Sequence, residues 1–139
     1  MMQVTRRPAV SAAKAPDAAR FARSPCPVAN ALELVGDKWS LLLVRDMLRG
    51  KETYGALLDS PERIPTNILA DRLRRLEEAG LVERSAYQQR PTRYAYRLSA
   101  KGRDLATVLQ ALVGWGKRHI AGTRTLDEIA AAARPRRKG

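Results

Sequence analysis

The sequence is short of several things at once. It holds one cysteine and one histidine in 139 residues. That excludes an intramolecular disulfide and a cysteine-based zinc cluster, and it leaves little for His-rich metal sites or Ser/His/Asp triads. Aromatics make up 5%, so the core must be aliphatic. Apolar runs fall far below the ~18 residues of a membrane span. Paired carboxylates, a nucleophile–base pair and a Gly-rich phosphate loop do not stand out, so the chain reads as no enzyme, with no cofactor and no metal. Acids are scarce as well, 14 against 26 Lys and Arg, for a net charge of +12. The apolar fraction of 45% is ordinary for a globular protein.

The positive excess lies largely at the two ends. Arg6, Arg7, Lys14, Arg20 and Arg23 face Asp17 alone in residues 1–26, and Arg124, Arg134, Arg136, Arg137 and Lys138 face Asp127 and Glu128 in residues 121–139. The N-terminal stretch has no apolar segment of the secretory kind. Although its Arg-rich, acid-poor make-up mimics a transit peptide, it is read as a solvated arm. The organisation expected is a flexible basic arm (1–24), a folded domain (25–120) and a basic tail (121–139) that opens on a weak helix over 125–133. Basic arms on a folded unit suggest a polyanionic partner, and a free thiol without an export signal suggests the cytoplasm.

Within the domain, Pro25-Cys26-Pro27 is a rigid entry. Val28, Ala31, Leu32 and Val35 then mark one face of a helix that Gly36 ends. Asp37 is placed to cap a second helix, 38–49, whose many apolar residues predict burial. Thr53 caps a short helix through Leu58, and residues 59–63 form a turn. A third helix, 65–79, starts on Pro65, ends before Gly80 and buries Leu69, Leu73 and Leu76. The period then changes to alternation, predicting strands at 81–87 and 93–98 around the acid-free tip 88–92. Tyr94, Tyr96 and Leu98 share one strand face. Ser99 caps a long helix through His119, with Leu105, Val108, Leu109, Leu112 and Trp115 in its apolar stripe. That stripe needs a partner helix.

This order, helices followed by a hairpin and a long helix, is that of a mainly α winged helix-turn-helix. The major groove of B-DNA admits one α-helix, and base edges are read by short or forked polar side chains near its start. The exposed face of the third helix presents Thr66, Asn67, Ala70, Asp71, Arg74 and Arg75. Asn bonds adenine, Arg bonds guanine, and the Thr methyl meets the thymine methyl. Gln89, Arg90 and Arg93 at the hairpin are placed to follow phosphates or enter the minor groove, and Lys38 to touch a phosphate at a helix start. A solvated helix face and an ordinary turn would explain each residue singly. The combination favours double-stranded DNA. An RNA-binding protein would expose more aromatic platforms, and a winged helix used for protein assembly would not need arginines at an acid-free tip.

Specific blocks add to this reading. Cys26-Pro27-Val28 and the run Leu34-Val35-Gly36-Asp37-Lys38-Trp39-Ser40-Leu41-Leu42-Leu43-Val44-Arg45 resemble the opening signature of the HxlR-type transcriptional regulators, winged-helix proteins related to the MarR group. The resemblance continues from Leu69 to Val82 and from Pro91 to Ser99, then through Gly102 to Trp115, covering about residues 24–120. It implies a homodimeric bacterial regulator at a palindromic operator, usually a repressor and sometimes an activator, cytoplasmic and nucleoid-associated. Departures from the family pattern are Pro65 where Ser is frequent, Asp71 where Gln is frequent, and Ala95 where Glu is frequent. An acid at position 71 repels phosphate and is able to accept from cytosine, which points to a different operator. Cys26 matches a position where some family members sense oxidants or electrophiles, so an oxidant or small-molecule effector is a further expectation. Such thiol chemistry requires exposure, and a packed, inert Cys26 is the reading favoured by the usual burial of free cysteines.

Overall fold

The structure is a computed structural model that describes residues 23–133. Most of the basic arm and the end of the basic tail, from Arg134 to Gly139, therefore lie outside the described residues.

Helix α1 (Pro27–Val35) starts with proline in its first turn, where a missing N–H costs nothing, and closes with the Gly36 amide donating to the Leu32 carbonyl at 2.8 Å. Helix α2 (Ser40–Leu48) begins two residues later than its apolar pattern suggests. The Asp37 carboxylate accepts from the Trp39 and Ser40 amides at 2.9 and 3.0 Å. Those bonds hold Asp37–Trp39 as a turn and cap the helix from outside it. Leu43, Val44 and Met47 of α2 are buried, as expected for the central helix. Helix α3 (Tyr54–Leu58) is capped by the Thr53 hydroxyl, which accepts from the Ala56 amide at 3.1 Å.

Helix α4 (Thr66–Glu78) follows Pro65, which occupies the capping position itself, and it buries Leu69, Leu73 and Leu76. Gly80 takes φ +78° directly after the helix, a conformation that glycine adopts without strain. The antiparallel hairpin of β1 (Val82–Gln89) and β2 (Thr92–Leu98) pairs Val82 with Leu98 and Gln89 with Thr92. Pairing runs further toward the tip than alternation alone suggests, leaving Arg90 and Pro91 as the turn. A register shift between Ala86 and Gln88 leaves Tyr87 out of the pairing, a β-bulge. A third segment joins this hairpin: Thr53 bridges Ala95, and the Tyr96 amide donates to the Glu52 carbonyl at 2.7 Å. This explains why Ala95 is half-buried on the face otherwise formed by exposed Arg93 and Arg97.

The long helix expected from Ser99 to His119 is in fact two helices. Ser99 caps α5 (Ala100–Arg103), the chain turns at Asp104–Leu105, and α6 (Ala106–His119) follows. Gly102 lies hard against the link between α4 and β1: a Cβ there would stand 2.2 Å from the Leu81 carbonyl oxygen. At the break the Leu105 amide donates to Gly102 instead of continuing the α-helical ladder. A final helix, α7 (Leu126–Ala133), is held to α2 by Arg49–Asp127 at 2.8 Å and to α6 by Lys117–Glu128 at 3.1 Å. The core joins α1 to α4, the base of the hairpin and, through half-buried Leu105 and Leu109, the start of the α5–α6 arm. This is a winged helix-turn-helix, mainly helical with one hairpin.

Candidate nucleic-acid interface

Helix α4 is divided lengthwise. The three leucines are sealed in the core, which forces Thr66, Asn67, Ala70, Arg74 and Arg75 into solvent and leaves Asp71 half-exposed. The start of α4 is pinned by the Tyr54 hydroxyl, which donates to the Thr66 carbonyl at 2.8 Å. The preceding turn is pinned by Arg45, which donates to both Glu62 oxygens at 2.7 and 3.0 Å and to buried Asp46. Arg72, half-buried beside the solvent face of α4, donates to Asp37 at 2.9 Å, tying the middle of α4 to the capping turn of α2. It sets the start of α2, with exposed Lys38, beside α4. The Lys38 ammonium lies 5.6 Å over the Trp39 ring, and Trp39 itself packs half-buried against the core.

Asp37 and Asp71 are the charged hubs. Partial burial raises the Asp37 carboxyl, but hydrogen bonds from Ser40, Arg72 and the Trp39 and Ser40 amides outweigh it and lower the pKa to about 2. At Asp71 desolvation acts upward too, and the bonds and charges of Arg74 and Arg72 again win, holding it below the usual carboxylate range. Asp71 accepts from Arg74 at 2.5 Å and from Arg72, with Arg75 at 3.7 Å. From sequence, Asp71 is an acid that repels phosphate and is able to accept from cytosine; the structure makes it the centre of an arginine cluster.

The hairpin carries Gln89, Arg90 and Arg93 into solvent. Among the described residues, neither arginine has an acidic partner. The tip is braced by Gln88 donating to the Pro91 carbonyl at 3.1 Å and by Thr92 donating to Gln89 at 3.2 Å. Near the base of the hairpin, Arg84 stacks 4.3 Å over the Tyr94 ring and lies 3.6 Å from Glu77 of α4, linking wing and helix. Residues missed from the sequence are Arg72, Tyr54 and Glu62. Arg72 and Tyr54 bond to Asp71 and Thr66 of the candidate face from beside it, Glu62 braces the preceding turn, and each acts by holding α4 in place. Their partners lie 35, 12 and 17 positions away, so no local pattern could have revealed them.

Cys26 is exposed at the start of α1, which overturns the packed environment favoured from sequence. The Arg23 guanidinium, three residues before Cys26, pairs with Glu33 at 3.0 Å. Among the described residues, no group of metal-ligating side chains gathers, and no helix is long and apolar enough to cross a membrane.

Comparison with known proteins places these features. The family model for the HxlR-like helix-turn-helix matches residues 34–124. The chain is 38% identical over 87 residues to an HTH-type transcriptional regulator of Synechocystis, sll1512, covering 63% of this chain and 64% of that protein. It is 41% identical over 93 residues to the regulator Rv3095 of Mycobacterium tuberculosis, covering 67% and 58%. It thus spans less than two thirds of each of these relatives. The redox regulator HypR, in its oxidised form, superposes with a TM-score of 0.62 at 31% identity, over 73% of this chain and all of that one.

Proposed function

The chain belongs to the HxlR-like helix-turn-helix family, and from that premise we propose that it is a dimeric, sequence-specific DNA-binding transcriptional regulator. It acts in the cytoplasm, on the nucleoid, as a repressor at a palindromic operator. The observation that carries this is the division of α4 into a sealed leucine face and a solvent face of Thr66, Asn67, Ala70, Asp71, Arg74 and Arg75. That face, at the start of a rigidly braced helix, is what base readout requires. Arg90, Arg93 and Gln89 on the wing, with Lys38 at α2, supply phosphate contacts that position the helix. The unit that does this is residues 25–120, with the arm 1–24 and the tail 121–139 adding basic charge.

Selection of bound duplexes from a random pool tests the assignment. Asn67→Ala and Arg74→Ala are each expected to cost ~1–3 kcal/mol on the selected site and to relax its sequence at one position. If both variants select the wild-type sequence, α4 is not the reader.

Exposed Cys26 supports an oxidant or electrophile as effector. HypR and YodB, named as regulators with oxidised, reduced or diamide-treated forms, have the same fold. Diamide is expected to weaken operator binding reversibly, and Cys26→Ser to abolish that response while retaining affinity. Unchanged binding by wild type after diamide, with the thiol modified by mass, would remove Cys26 from the mechanism. An open groove of about 570 Å³ between α2, α6 and α7, with Leu48, Leu109, Val113 and Leu126 on its floor and Arg45, Arg49 and Asp127 at its sides, is where a small-molecule effector would sit.

A further inference from the structure

We propose that Asp71 is a discrimination residue: by holding the Arg74 guanidinium on the surface of α4, it disfavours indiscriminate phosphate binding and leaves Arg74 to a base edge. This rests on the reading of α4 as the base-reading helix and deepens it.

The argument begins with the two carboxylate oxygens. Oδ1 accepts from Arg74 Nη2 at 2.5 Å, and Oδ2 accepts from Arg72 and has Arg75 Nη1 at 3.7 Å. With both oxygens taken by guanidiniums, Asp71 is poorly placed to accept from a cytosine amine. The carboxylate is not free to swing either. Its partner Arg72 is only 17% exposed and is held on its other side by Asp37 at 2.9 Å, which in turn caps α2. Arg74 is 58% exposed and donates its second terminal nitrogen to Glu78 at 3.2 Å. The result is a continuous ladder, from Asp37 through Arg72, Asp71 and Arg74 to Glu78, fixed at one end in the protein and open to solvent at the other.

Such a ladder treats two kinds of acceptor differently. A phosphate approaching Arg74 also approaches the fixed charge of Asp71, and like-charge juxtaposition suppresses wrong partners. The O6 and N7 atoms of guanine are neutral acceptors in a bidentate pair that matches the arginine fork, and a neutral edge is not repelled by Asp71. Two of the five N–H donors of Arg74 are engaged by Asp71 and Glu78, and the rest remain for the base. Asp71 is therefore a positioning residue for Arg74 and a charge barrier to non-specific DNA.

The test uses the full-length protein with two fluorescent duplexes, one of random sequence and one enriched by wild type from a random pool. Asp71→Asn is expected to bind the random duplex roughly ten-fold tighter and to gain less on the enriched duplex, so that the ratio of the two affinities falls. Asp71→Glu is expected to keep the ratio. The pair Asp71→Glu and Asp71→Gln repeats the comparison with one more methylene, so that a folding defect in the Asn variant does not decide it. An unchanged ratio in both neutral variants overturns the proposal. So does a loss confined to the enriched duplex, which would make Asp71 a direct base acceptor. If Arg74→Ala alters the enriched sequence while the neutral variants leave the ratio intact, only the role of Asp71 falls; if Arg74→Ala leaves that sequence unchanged, the reading of α4 falls with it.

Discussion

Asp37 shows how one side chain joins the cap of one helix to the placement of another. It caps α2 through two amides and the Ser40 hydroxyl and anchors Arg72 of α4. Its carboxyl is lowered from 3.8 to about 2, so the stability it contributes is fully present above pH ~4 and is lost as pH falls through about 2. Glu62 is shifted the same way, first by its hydrogen bond from Arg45, and adds to acid sensitivity in the same direction. Substitution isolates Asp37. Asp37→Asn is expected to cost at most about 2 kcal/mol at pH 7, through the weakened cap and the lost charge-assisted bonds. The gap between variant and wild type should narrow as pH drops from 4 toward 2. Denaturant unfolding at pH 7, 4 and 2.5 reads this directly, and parallel stability curves would show that Asp37 does not carry the charge coupling.

At the scale of elements, the wing makes a separate prediction. Arg90 stands at a braced tip with no acid partner among the described residues, so its charge is available to phosphate. Arg90→Ala should weaken random and selected duplexes about equally and lower the salt dependence of binding by roughly one unit per protomer. A change confined to one base position would instead make the wing a reader. The elements themselves were legible wherever their causes are local. Thr53 and Ser99 cap helices as their positions suggest, and Leu69, Leu73 and Leu76 define the buried side of α4, hence also its exposed side. Non-local causes were hidden. The break between α5 and α6 comes where the Leu105 amide turns to the Gly102 carbonyl, and the third strand segment from Glu52 and Thr53 meeting β2. The same limit applies to the site: the residue types on α4 and the i,i+3 and i,i+4 spacing of Asp71 with Arg74 and Arg75 are local, whereas the tether of Arg72 to Asp37 depends on a contact 35 positions away.

For the molecule as a whole, the decisive feature is α6, in which no residue is buried. Leu112 is 50% exposed, Trp115 55%, and on α1 Val28 is 65% and Leu32 54% exposed. Isolated apolar residues at a surface need no explanation, but a run of them along one helix with a second set on α1 marks an interaction surface. A second copy of the chain satisfies it if α6 of one protomer packs against residues 28–35 of the other about a two-fold axis. Each large aliphatic side chain covered there is worth ~1.5–3 kcal/mol. Two-fold symmetry would then set the two α4 helices about one DNA turn apart, ~34–36 Å, as a palindrome requires. The α5–α6 arm also packs on the core through Leu105 and Leu109, so in such a dimer the spacing of the two α4 helices would be coupled to the interface. Wild type should therefore run as a dimer by light scattering at micromolar concentration. Leu112→Glu should yield a folded monomer, because the substituted position is already half in solvent. Its affinity for the selected palindrome should collapse toward its affinity for a single half-site, while binding to random DNA falls much less. A monomeric wild type with full affinity for the palindrome would refute both the interface and the symmetry argument.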